Sequence, residues 1–342
     1  MRLRAFVVGV VAVWVGGLGA CGGTALDVTD GGEGNATSDA GTLVTESGAS
    51  SEAGAEGTAD CPASYPICRA FRNDGAQGGA VSVRVDPSAG LAYVTTRGLA
   101  AHAMGPYGTN PNTATARALT LSIPLVPKEG DSPAGNGHVA VAWNGVALFN
   151  PSDARNIGGC TGNAAYLEAD GVDVFGGHPA PGGEYHYHTG FFLTRAAELG
   201  LVQEPGKHSS LVGYAFDGVP IYGTYGYSDP QDPASAVRPL RSCYRLKPER
   251  TCCQDISKCS LVAQFERKTL VLGAFVEDYA FDDAAYRAGE CDLDAYNSRV
   301  AKTPEYPEGA RVYVMTIDDG GTVTYPFVFG TRYWGVPAQN PR

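Results

Sequence analysis

The chain is poor in several residue types, and each shortage excludes something. It has only six histidines, three methionines and three tryptophans in 342 residues, and charged side chains make up 18%. Met1, Met104 and Met315 are too scattered for a methionine-rich Cu(I) chaperone site. No GxGxxG, P-loop or GxSxG pattern occurs, so the common nucleotide-binding and α/β-hydrolase readings have no anchor. The cysteines include no paired CxxC, which weakens a thiolate metal site around Cys252, Cys253 and Cys259. Long amphipathic helical patterns are missing as well. Only Thr194–Leu201 and Asp282–Ala288 read as helices, each of about two turns. The one long apolar run, Ala5 to Val15, is too short to span a bilayer.

That run follows Arg2 and Arg4 and precedes Leu18-Gly19-Ala20-Cys21, the pattern of a signal peptide over residues 1–20. Leu18-Gly19-Ala20-Cys21 resembles a bacterial lipobox, which makes Cys21 the lipidated N-terminus of a membrane-anchored lipoprotein at the cell envelope, periplasmic or surface-exposed. Residues 22–60 hold eight Asp or Glu and no Lys or Arg among Gly, Ala, Ser and Thr, so 21–60 reads as a lipid anchor followed by a disordered acidic tether. The formal charge of −11 falls to −5 over residues 61–342 once the two arginines and these eight acids are set aside. A mild negative balance argues against nucleic acid. It identifies no protein partner.

Eight cysteines remain after Cys21, an even number in an exported chain, which favours disulfides. Cys61 and Cys68 are expected to close a small loop, and adjacent Cys252 and Cys253 to reach different partners. Strands are expected at Ala80–Asp86 and Leu91–Thr96 as a hairpin, then at Ala118–Leu125, Val139–Trp143, Val146–Phe149, Tyr185–Leu193, Leu211–Phe216, Leu270–Phe275, Arg311–Ile317 and Thr322–Phe329. With Gly 46 and Pro 22, this predicts a mainly β fold. Residues 61–342 would form a single β-rich domain, sandwich or barrel-like, with long disulfide-linked loops and few short helices.

Half of the histidines fall within residues 178–188, where even placement would give about a fifth of one. In Tyr185-His186-Tyr187-His188 a strand directs both imidazoles to one face, about 6.5 to 7 Å apart at Cα, and both phenols to the other. Pro181-Gly182-Gly183 supplies a reversal that can return His178 over the same face. His178, His186 and His188 are therefore candidate ligands of one Cu or Zn ion, with the tyrosines packed in the core. Glu184, in register with His186, is a carboxylate candidate. Asp217, in Phe216-Asp217-Gly218, is either a turn-maker or a general base. Both are catalytic candidates. His138 and His208 read as solvent-facing or capping residues, and His102 carries less signal still.

Gly177 to His188, Gly213 to Gly223 and Thr303 to Gly309, together with Asn110-Pro111-Asn112 and Asn144-Gly145-Val146, resemble the bacterial YHYH-domain family over roughly residues 80 to 335. The resemblance implies an exported or membrane-tethered protein whose histidine motif is a metal site, and it names no reaction. Many members carry a second Tyr-His-Tyr-His near the C-terminus. Here the corresponding stretch reads Val312-Tyr313-Val314-Met315, which limits the site to one ion. Three functions stay open: a tethered metal-binding protein, a metal-dependent hydrolytic or oxidative enzyme at the same site, and a disulfide-stabilised surface binding module without metal.

Overall fold

Alternation of apolar and polar residues builds the first hairpin. β1 (Val81–Asp86) pairs antiparallel with β2 (Leu91–Thr96), and β3 (Leu119–Pro124) adds on the far side of β2. One face of this small sheet buries Ala92, Val94, Leu121 and Ile123, as period-two side-chain direction requires. β4 (Glu129–Pro133) follows, and pairs with the last strand, β19 (Arg332–Gly335). The computed structural model describes residues 60–72, 80–254, 270–318 and 321–339. The expected signal peptide, Cys21, the tether up to residue 59, and Cys259 lie outside these residues.

The main sheet has eight strands: β5 (His138–Ala142), β6 (Ala147–Phe149), β9 (Gly177–Pro179), β10 (Tyr185–Tyr187), β11 (Leu211–Ala215), β12 (Pro220–Tyr222), β17 (Ser298–Ala301) and β18 (Ala310–Val314). Their order is β17-β18-β12-β11-β5-β6-β10-β9, with parallel pairing at β6/β10 and β12/β18 and antiparallel pairing elsewhere. Every residue of central β5 and β11 is buried, so both faces of the sheet centre are covered and these strands read as apolar runs. Val94, Leu121 and Ile123 of the small sheet share one core with Val139, Val141 and Tyr214. The main sheet is open, not closed into a barrel, with β17 and β9 at its edges. Besides the β4/β19 pair, three further two-stranded ribbons lie outside it among the described residues: β7 (Ala154–Ile157) with β8 (Cys160–Gly162), β13 (Tyr225–Tyr227) with β14 (Val237–Pro239), and β15 (Tyr244–Leu246) with β16 (Tyr279–Phe281).

The fold is thus mainly β with few short helices, and four segments depart from expectation. The strand expected over Tyr185–Leu193 stops at Tyr187. The Thr189 hydroxyl accepts the Phe191 N–H, and a 3-10 segment over Phe191–Leu199 stands where a helix was expected over Thr194–Leu201. Leu270–Phe275 forms turns, because the buried Asp278 carboxylate takes the N–H groups of Gly273 and Phe275 that a ladder would use. Only Phe275 keeps a bridge, to Gly162. In Thr322–Phe329 only Val323 bridges, to Ile317; Pro326 has no N–H to give a ladder. The expected helix at Asp282–Ala288 forms over Asp283–Arg287, with Asp282 accepting the Ala285 N–H as its cap.

Cys61 pairs with Cys68, Cys160 with Cys252, and Cys243 with Cys291. Cys253 is disulfide-bonded too, so neither Cys252 nor Cys253 offers a thiolate to a metal. The other segments of the family resemblance meet one another: the Tyr222 hydroxyl lies 2.9 Å from Thr303 Oγ1 and 2.7 Å from Glu305, and Tyr214 and Tyr306 share a hydroxyl contact of 2.8 Å. Among the described residues no helix is long and apolar enough to cross a membrane.

Candidate metal centre

The reversal between β9 and β10 assembles the site. Gly183, at φ +81°, closes a turn by donating its N–H to Ala180 O at 2.8 Å, and Ala180 N–H donates to Glu184 O at 2.8 Å. The resulting register sets Tyr185 opposite Pro179, His186 opposite His178 and Tyr187 opposite Gly177. Directly paired residues share a face, so His178 meets His186 across the ladder while His188, two positions on, keeps the same side. All three imidazoles are buried, and each offers a nitrogen within 4.8 Å of the others'. The structure thus brings His178, His186 and His188 together in a buried cluster that could hold a metal ion.

Hydrogen bonds at the ring backs decide which nitrogens are available. His186 Nδ1 lies 3.0 Å from the Glu184 carbonyl oxygen, and His188 Nδ1 lies 3.2 Å from that of Asn150. A carbonyl only accepts, so each Nδ1 carries a proton and each ring turns its Nε2 toward the cluster. Those two Nε2 atoms face each other at 3.1 Å. Asn110 places its amide 3.1 Å from His178 Nδ1 and, with Asn112, also holds the Pro179 carbonyl. Phe149, at the end of β6, stacks on His186 at 3.8 Å and meets His188 edge-on. Burial, then the positive charge that His188 and His178 would add, pushes the His186 pKa well below the ordinary value, so its imidazole is neutral.

Glu168 contacts two of the three imidazoles and has no local signal in the sequence. It caps the helical turn Ala164–Leu167, and its Oε2 lies 3.3 Å from Nε2 of both His178 and His188. Burial raises its pKa, but the two histidine contacts outweigh that and hold the carboxyl far below the usual carboxylate range.

The tyrosines occupy the opposite face, fully buried and fully partnered. Tyr185 donates to Asp173 at 2.7 Å; the Tyr187 hydroxyl accepts from Asn144 Nδ2 at 3.1 Å and meets His102 Nε2 at 2.6 Å. His102, whose Nδ1 faces the Ala103 carbonyl, therefore supports the back of the motif. His138 corrects its expected place as a solvent-facing or capping residue. It is 6% exposed at the start of β5, packs on Phe149, and its Nε2 contacts the Glu184 carboxylate. Glu184 thus turns its carboxylate to His138, while its carbonyl orients His186. His208 is half-buried between Tyr222 and Tyr227. Asp217 sits fully buried in the turn between β11 and β12. It accepts the Val219 N–H on Oδ1, and the Tyr313 hydroxyl and Gly335 N–H on Oδ2. Burial raises its pKa against the pull of those bonds.

The family model for YHYH protein matches residues 120–325, which is more than half of the chain. The chain belongs to the YHYH protein family. The match contains all three clustered histidines and Glu168, while the Asn110-Pro111-Asn112 strap precedes it. No curated protein and no solved structure matches the chain.

Proposed function

We propose that this YHYH protein binds one transition-metal ion, copper or zinc, through His178, His186 and His188. The observation that carries the reading is the facing pair of Nε2 atoms on His186 and His188, 3.1 Å apart in a buried position. With both rings neutral, two lone pairs meet at that distance, and a cation between them removes their repulsion. Neutral imidazoles are the protonation state that a metal needs, and the Nδ1 contacts to Glu184 and Asn150 hold the rings in the matching tautomer. The donor chemistry therefore fits Zn(II) or Cu(II). Lipidation of Cys21 would present the domain at the cell envelope on the acidic segment 22–60, and the disulfides fit that oxidising compartment.

Metal analysis tests this directly. Full-length protein made without a histidine tag, exposed to Zn(II) and Cu(II) and dialysed, should retain one equivalent of metal per chain, and His186→Ala/His188→Ala should retain about none. A wild-type protein without stoichiometric metal, or a double variant that keeps it, would overturn the proposal.

A further inference from the structure

We infer that Glu168 is the fourth ligand of this ion, closing a shell of three imidazoles and one carboxylate that selects a divalent cation over Cu(I) and leaves no position for an exogenous ligand. The inference rests on the metal-binding reading above and goes beyond it in naming an oxygen donor from a separate segment of the chain.

Three of the ligand-to-ligand distances are those of ligands around one point. A tetrahedral ion with bonds of about 2.0–2.1 Å has ligand atoms about 3.3–3.4 Å apart. The contacts among Glu168 Oε2, His178 Nε2 and His188 Nε2 include two at 3.3 Å, and His186 Nε2 stands 3.1 Å from His188 Nε2. Direction agrees with distance. His178 Nε2 is buried and has no aligned hydrogen-bond partner although Glu168 Oε2 is 3.3 Å away. A nitrogen that neighbours a carboxylate oxygen without pointing along the line to it is placed as two ligands of one ion are placed. The Glu168 side chain is three-quarters buried beside the two imidazoles.

Two consequences follow from the donor set. A carboxylate is a hard oxygen donor suited to divalent ions, whereas Cu(I) prefers soft thiolate and thioether ligands. A four-coordinate shell supplied wholly by protein is the arrangement of binding and structural sites, since catalytic zinc sites keep a position open for water or substrate.

Cobalt(II) substitution reads both. The full chain loaded with Co(II) should show the intense visible bands of a four-coordinate ion, and azide should not shift them. Glu168→Ala should bind Zn(II) more weakly by more than about 100-fold, beyond what loss of an outer-shell partner costs. Its Co(II) bands should move, and azide should now shift them. Competition against a Cu(I) chelator should show Glu168→Ala losing less affinity for Cu(I) than for Zn(II). Glu168→Gln, closer in shape, repeats the measurement if Glu168→Ala melts early. The inference is overturned if azide shifts the wild-type spectrum, or if the variants keep wild-type bands and affinity. Absence of metal from the wild-type protein would instead defeat the metal-binding reading itself, so the two failures are distinct.

Discussion

Replacing Gly177 by alanine should damage the site without touching a ligand. An added Cβ at that position would overlap Oη, Cζ and Cε1 of Tyr185, the last at 2.8 Å. The Tyr185 ring is fully buried, and its hydroxyl is fixed on Asp173 at 2.7 Å, so no soft displacement is available. Forcing extra volume into a packed core costs roughly 1–3 kcal/mol. Loss of a hydrogen bond to a charged group adds roughly 1.5–3 kcal/mol. The expected destabilisation is therefore roughly 2.5–6 kcal/mol, a large share of a typical domain's stability. Gly177 pairs with Tyr187 one position from the His178–His186 pair, so a shifted Tyr185 also disturbs the ladder that sets the imidazoles. Urea unfolding of the metal-free protein measures the first effect, and Zn(II) titration the second, with affinity expected to fall at least about 10-fold. Adding Tyr185→Leu should recover part of the loss, giving a coupling of at least about 1 kcal/mol in the double-mutant cycle. Gly177→Ala within about 0.5 kcal/mol of wild type would refute the packing account.

Two further outcomes are expected. Burial lowers the pKa values of His102, His186 and His208, with His188 and His178 adding to the effect at His186. Below about pH 6.5 the unfolded chain then binds protons that the folded chain refuses, so the metal-free protein should lose stability as pH falls, by at most about 1.4 kcal/mol per pH unit per histidine. The lowered Glu168 carboxyl acts in the same direction below its ordinary value of 4.5, and the raised Asp217 carboxyl opposes it. Urea midpoints at pH 5 and pH 7 check this, and equal midpoints would contradict it. Asn110→Ala should weaken Zn(II) binding about 10–100-fold. Asn110 Nδ2 lies 3.1 Å from His178 Nδ1 and donates to the Pro179 carbonyl beside it, so its removal frees both the ring and the strand that carry this ligand. Unchanged affinity would place Asn110 outside the site.

What the sequence revealed and what it concealed divide along the range of the interactions. The histidine face was legible because β periodicity and the Pro-Gly-Gly reversal act within eleven residues, and the observed pairing of His186 with His178 follows from those two local rules. The burial of Tyr185 and Tyr187 follows from the same alternation. Glu168, Asn150 and His138 reach the cluster through chain crossings of ten or more residues, and nothing in their immediate neighbours distinguishes them. Leu270–Phe275 misled for the converse reason: its apolar content fits a strand, but Asp278 takes the backbone donors at Gly273 and Phe275.

The placement of Asp217 and Glu184 bears on the choice between binding and catalysis. A general base needs a carboxylate oxygen directed at the ion's surroundings. Both Asp217 oxygens are engaged with Val219, Tyr313 and Gly335, which knit the β11–β12 turn to β18 and β19. Glu184 directs its carboxylate to His138, which packs on the same Phe149 ring that stacks on His186. Glu168 is the carboxylate that does reach the imidazole nitrogens, and it does so at ligand spacing. If Glu168 coordinates as inferred, the nearest acid is spent on the ion and the other acids on turns and on a neighbouring imidazole, an arrangement suited to holding an ion more than to moving protons around one.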